Sequence, residues 1–405
     1  MYKEILKYTE EYYDRLIDLT IRLIQTPSES GKEQDLSLLI EKELKLLNYD
    51  EVFIDEIGNV IGIIKGDGSS NNILYYSHLD HHSPGNIEDW YFPPYKGIIE
   101  NDFIHGCGAS NCKAAIASQI YAGAIIKEKK IPIKGDYIFA SVVQKNLSEC
   151  FGIKFLFENT FKDNIKIGLV VLGNSTDLNI YLGHRGRIEL EVTTYGRTSI
   201  SSTPWLGINA IYKMIPVINE IQKLSQNLPS HYFLEKSSID ITEIKSYPNK
   251  ENVLPDRCTI FIDRRFLPTE SLDEVIGQIQ SIINRISSID PDFKCMVNIR
   301  TCKEKSYKGI ERNLPKLMLP FLTDKNHPLV KKVEMALQNI NNEKSNFNVW
   351  YFPTDGGYTS SFLNIPTIGY SPGEEKYDFT PFDRVNISKL KKSLNGYIAI
   401  HYNVS

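Results

Sequence analysis

Nowhere in the 405-residue chain does an apolar run approach the ~20 residues that a bilayer-spanning helix needs, and charges interrupt the opening Met1-Tyr-Lys-Glu-Ile-Leu segment. A soluble, cytoplasmic protein with no membrane partner is expected. An excess of basic charge is also missing, because 46 Lys and Arg stand against 50 Asp and Glu for a net charge of -4. A nucleic-acid partner is therefore not expected. Cysteine is sparse, with six residues at irregular positions (Cys107, Cys112, Cys150, Cys258, Cys295, Cys302). That pattern makes no disulfide framework and points to reduced thiols. Internal repeats and low-complexity tracts are absent as well.

What the chain does contain is 41% apolar and 24% charged residues, enough for one large core or two smaller ones. Helical periodicity covers Glu4 to Thr26 and about Lys32 to Leu47, with Pro27-Ser-Glu-Ser-Gly31 supplying turn and cap signals between them. Short apolar runs at Val60 to Ile64, Ile73 to Tyr76, Tyr137 to Val143 and Gly168 to Leu172 read as strands, with a helix from about Lys113 to Lys127 between the second and third. From Arg187 to about Thr301 the pattern changes to a compact α+β unit of alternating strands and two helices. Helix and strand segments then resume, including a buried strand at Ile365 to Gly369. The expected fold class is α/β: a discontinuous mixed-sheet domain flanked by helices, residues 1–183 and 303–405, with an inserted α+β lid, residues 184–302.

The chemistry-bearing motifs are Ile73-Leu-Tyr-Tyr-Ser-His-Leu-Asp80, Trp90 and Gly106-Cys-Gly-Ala-Ser-Asn-Cys-Lys113, followed by Gly183-His-Arg-Gly186, Asp263-Arg-Arg265, Thr354-Asp-Gly356 and Ser371-Pro-Gly373. Together they resemble the zinc aminoacylase and carboxypeptidase family, which includes glutamate carboxypeptidase, acetylornithine deacetylase and succinyl-diaminopimelate desuccinylase. They look closest to its branch linked to selenium and purine metabolism. The resemblance implies a two-domain hydrolase fold, a dinuclear zinc site and lids that pair into a homodimer.

The same resemblance shows what has been replaced. His78 and Asp80 match the family's histidine ligand and its hydrogen-bonded aspartate. Asn111 stands where an aspartate bridges the metals, Asn174 where a carboxylate ligand sits, and Phe379 where the last histidine would be. Lys145 and Asn146 follow the strand that should end in the general base and a glutamate ligand; anchoring on Cys150-Phe-Gly152 instead brings Glu149 near the base position. Ile200 replaces the oxyanion-stabilising histidine, and isoleucine donates no hydrogen bond. Zinc wants roughly four good donors, usually some of them anionic, so His78 is read as a relict ligand and no metal is expected.

The leading expectation is a catalytically degenerate family member that binds an amino-acid-like ligand, through Arg265, Asn209 and the Gly373 turn, or a protein partner. Arg264 and Arg265 have a second reading as internal ion pairs with Asp263 or Glu270. A rival keeps the protein an enzyme acting on an amide or related bond, with Lys145, Glu149, Asp80 or the Cys107 and Cys112 thiols as catalytic groups. Zinc enters only if a site is rebuilt around His78, His82, Cys107 or Cys112. A third reading, an ordinary zinc aminoacylase or peptidase, requires several independent misplacements of the ligand positions.

Overall fold

A computed structural model describes residues 1–146, 150–162 and 164–405. Its larger sheet has nine strands among the described residues. Eight lie in the order Glu51–Ile54, Val60–Ile64, Tyr137–Val142, Asn72–His78, Ile167–Leu172, Thr367–Gly369, Ile180–His184, Phe321–Leu322, and Phe347–Trp350 pairs with Ile180–His184. The central runs are mostly apolar because both faces are covered; every residue of Val60–Ile64 and of Tyr137–Val142 is buried. One face packs on the Tyr13–Gln25, Gln34–Leu46, Ala114–Glu128, Pro328–Asn341 and Ile387–Val404 helices. The other is covered by Phe151–Phe155, its continuation Leu156–Phe161, and the rings of Trp350 and Tyr358.

After His184 the chain passes into a second, five-stranded antiparallel sheet, Ser238–Tyr247, Arg257–Phe266, Gly186–Tyr195 and Lys294–Ile299, with Leu317–Met318 on Gly186–Tyr195. The Ala210–Gln226 and Leu272–Ser287 helices pack on it. Each helix starts where its sequence says it should: Asn209 caps the first through Ile211 N–H, and Ser271 with Glu274 forms a capping box on the second. A hairpin, Thr301–Lys305 with Glu311–Pro315, follows, and the chain rejoins the large sheet at Phe321.

Two local expectations change. The stretch read as one helix from Glu4 is two, Tyr2–Glu10 and Tyr13–Gln25. The apolar stripe runs on through the break, so spacing could not reveal a turn at Glu11 and Tyr12 that buries the Tyr12 ring 6.1 Å from Tyr121. The loop at 27–31 supplies no helix cap either. The helix begins at Gln34 with no side-chain cap, and the loop's hydroxyls go elsewhere: Ser28 donates to the Leu79 carbonyl at 2.8 Å and Ser30 to Asp80 at 2.5 Å.

Candidate functional site

Tyr137–Val142, Asn72–His78, Ile167–Leu172 and Thr367–Gly369 are sheet neighbours and run parallel. Their carboxyl ends open on one side, where sheets of this kind hold ligands. His78 ends its own strand, and the loops beyond the strands carry Asp80, Lys145 and Asn146, Asn174, and the 370–379 turn. Asn111 reaches the same place from the 109–113 segment ahead of the Ala114–Glu128 helix. Gly373 is required at that turn, since a Cβ there would lie 2.0 Å from the Ser110 carbonyl oxygen.

Asn111 is the hub of the cluster. Its Oδ1 accepts from His78 Nε2 and Asn174 Nδ2, both at 3.1 Å, and its Nδ2 donates to Asp378 Oδ2 at 3.1 Å. Asp378 also accepts from Ser175 Oγ at 2.7 Å. The other ring nitrogen of His78 lies 2.8 Å from the Asp80 carbonyl oxygen and 3.4 Å from Asp80 Oδ1. Burial opposes a charge on His78, but Cys112 and Asp80 outweigh burial and raise its pKa. Burial likewise pushes Asp80 up, yet the bonds from His78, Ser30 and Asn146 N–H hold its carboxyl far below the usual range; Lys145 N–H adds a further bond at 2.9 Å.

The Lys145 ammonium lies 5.1 Å over the Phe352 ring. Phe379 stands between this corner and the loop after Asp80: its ring meets His82 edge-on at 4.3 Å and lies 6.3 Å from Phe352. Burial and the Lys145 charge both depress His82. Beside it, a small cavity of about 40 Å³ is lined by His82, Trp90, Cys107, Asn111, Phe379 and Asp383, among others.

Three buried carboxylates here escaped the sequence reading. Glu33 is raised to about 7 by burial and by Asp80, and accepts the Gln144 N–H at 3.0 Å. Burial also raises Asp378 well above its ordinary value, with Asp383 adding to it. Asp383 itself is raised to about 7 by burial although Gly108 and Ser110 N–H groups donate to it. Their roles rest on burial and on partners distant in the sequence, which spacing does not reveal.

These residues do not fit a dinuclear zinc centre. The one histidine of the set has a hydrogen-bond partner at both nitrogens, two ligand places are neutral amides, Phe379 has no donor atom, and Lys145 is a cation. The alternative ligands do not converge either. His81 Nε2 accepts the Ser28 N–H at 2.9 Å, Cys107 Sγ lies 3.5 Å from His81 Nδ1 with its thiol pushed by burial to about 12, and Cys112 Sγ sits 3.3 Å from the His78 backbone. Among the described residues no group of three or more His, Cys, Asp or Glu is placed to hold a metal ion.

The expected ligand-binding residues on the lid are used internally. Arg265 pairs with Asp263 at 2.6 Å, Arg264 pairs with Glu270, and the Asn209 side chain caps its helix. Both arginines make the ion pairs of the second reading, and Arg265 remains 26% exposed. Ile200 is 62% exposed on the lid surface and does not fill the cleft. Glu149 lies outside the described residues. Among the described residues no disulfide joins any of the six cysteines. No helix among the described residues is long and apolar enough to cross a membrane.

A large sheet with an inserted smaller one, and a cluster at its parallel strand ends, define the fold of the two-domain peptidases. The family model for the M20 peptidase dimerisation domain matches residues 182–291. YgeY of Escherichia coli K12 is 28% identical over 403 residues, covering 98% of this chain and 96% of its own. The N-formyl-4-amino-5-aminomethyl-2-methylpyrimidine deformylase of Bacillus subtilis is 24% identical over 411 residues, covering 95% and 93%. Aminopeptidase PepT of Bacillus cereus superposes with a TM-score of 0.75 at 20% identity over 97% of this chain and 98% of that one. The chain thus carries a peptidase dimerisation domain at residues 182–291 and is similar over nearly its whole length to these proteins.

Proposed function

We propose that this protein is an M20 family member that has given up dinuclear zinc hydrolysis and serves as a binding protein for a small amino-acid-like ligand or a protein partner. The observation that carries this reading is the Asn111 hub, where hydrogen bonds to His78, Asn174 and Asp378 join side chains that a metal pair would hold apart. A ligand carboxylate would be met by Arg265 and Asn209 on the lid, and the Lys145 ammonium against Phe352 supplies a further positive charge at the cluster. We further propose that the lid pairs two copies of the chain. Its surface exposes Trp205, Leu206, Tyr212 and Ile200, an apolar set that supports such pairing.

The deciding experiment is elemental analysis of protein purified without chelator and dialysed against zinc. The proposal expects close to no zinc per chain. Two per chain would overturn it, and one would place a rebuilt site near His82 or the cysteines.

A further inference from the structure

On the opposite side of the large sheet from the main helical layer, the structure holds a separate cavity of about 390 Å³. It lies between the 151–161 helical segment, the Glu311–Pro315 strand and the 357–362 turn. Leu314, Leu317 and Leu319 supply apolar wall; Tyr358, stacked on Phe362 with ring centroids 5.2 Å apart, supplies an aromatic one. The volume falls in the range, ~300–1,000 Å³, that small organic ligands occupy.

Three charged side chains complete the lining: Lys154, Glu158 and Arg312. Arg312 is held in place, with Nη1 3.3 Å from Glu158, Nη2 donating to Asn159 Oδ1 at 3.1 Å, and the guanidinium 5.2 Å over Phe155. Glu158 is spent on both sides, since its second oxygen accepts from the Tyr358 hydroxyl at 3.4 Å. Lys154 lies 5.9 Å over the Tyr358 ring and takes part in none of the ion pairs among the described residues. Two cations against one carboxylate leave a single positive charge at the edge of an apolar space. Such a charge gains from one anion, gains nothing from a neutral ligand and repels a cation.

We propose that this cavity binds an aryl-substituted monocarboxylate, its carboxylate between Lys154 and Arg312 and its ring against Tyr358 and the leucines. None of these residues belongs to the His78 cluster, so the site stands or falls independently of the reading given above.

The test is calorimetric titration of the full chain with 3-phenylpropanoate, 3-phenylpropanamide and 3-phenylpropylamine. The carboxylate should bind, the amide about tenfold more weakly, and the amine not at all. Lys154→Glu should weaken carboxylate binding by about tenfold or more, and Leu317→Trp, which fills the cavity, should abolish it. Should Leu317→Trp fail to fold, Lys154→Gln supplies the same reading with a smaller loss. Equal binding of carboxylate and amide would overturn the proposal, as would no binding at millimolar concentration or binding that survives both Lys154→Glu and Leu317→Trp.

Discussion

His78 Nε2 lies 3.1 Å from Asn111 Oδ1, so the ring nitrogen a metal would need is turned to a side-chain amide. Restoring a carboxylate at Asn111 alone should not recruit zinc. It would set that carboxylate against Asp378, now 3.1 Å from the amide nitrogen, and remove a donor. Asn111→Asp is expected to lower stability by about 1–3 kcal/mol near pH 8, read by urea unfolding, and to leave zinc content unchanged. Asn111→Asp, Lys145→Glu, Asn146→Glu, Asn174→Glu and Phe379→His together should raise zinc affinity, because a ligand set acts as a unit.

The stabilisation contributed by two buried carboxyls should fall as pH rises from about 5 to 8. His81, His184 and His401, lowered by burial to about 4, about 4 and about 3, act in the opposite direction below the ordinary histidine value. Glu33 goes from 4.5 to about 7 on folding and Asp383 from 3.8 to about 7, in both cases chiefly by burial. The folded state holds these protons more tightly, so their stabilisation is complete below the unfolded values and is lost as pH climbs through 7. For Glu33 the loss is on the order of 3 kcal/mol. His78, also raised, acts in the same direction. Asp80 acts oppositely: its lowered pKa gives stabilisation that is present above 3.8 and lost on acidification. Unfolding at pH 5 and pH 8, compared between the unmodified chain and Glu33→Gln, should show the Glu33 share as a difference in slope. An unchanged slope in that variant would remove Glu33 as the cause.

The two lid arginines should respond differently to loss of their partners. Arg264 is 1% exposed beside Glu270, so Glu270→Ala leaves a buried guanidinium uncompensated and should cost about 3–5 kcal/mol. Arg265 is 26% exposed, and Arg265→Met should cost under about 1 kcal/mol. A large loss of ligand affinity in Arg265→Met with stability intact would place Arg265 in the binding site.

Sedimentation of the full chain should give a dimer. Trp205→Ser with Tyr212→Glu, at positions 74% and 70% exposed, should give a folded monomer. A monomer for the unmodified chain would sink the pairing.

Much of this architecture was legible in the sequence because its signals are local or periodic. Apolar runs of strand length marked Val60–Ile64 and Tyr137–Val142, and helical periodicity marked the two lid helices that Asn209 and Ser271 cap. The positions of Asn111, Asn174 and Lys145 followed from motif frames. The hidden part depends on who meets whom. Nothing in the spacing of Asp378 tells that it receives Asn111, and Ser30 reads as a turn residue until the fold brings it to Asp80. Glu33 carries no mark of its own in the helical pattern, yet burial opposite Gln144 makes it one of the buried acids. Arg265 was ambiguous for the same reason, since Asp263 two residues away is equally consistent with a pair or a bystander.

The hydrogen bond from Gln144 Nε2 to the Lys305 carbonyl, 3.0 Å long, pegs the hairpin that follows the lid to the loop that carries Lys145. Gln144 also donates its backbone N–H to Glu33, so the peg is rooted beside Asp80 rather than at the surface. Any swing of the lid about its two connections to the large sheet has to carry this peg along or pull it free. A lid that moved would thereby tug on the backbone that presents Lys145, making the orientation of the lid and the placing of that ammonium one mechanical variable.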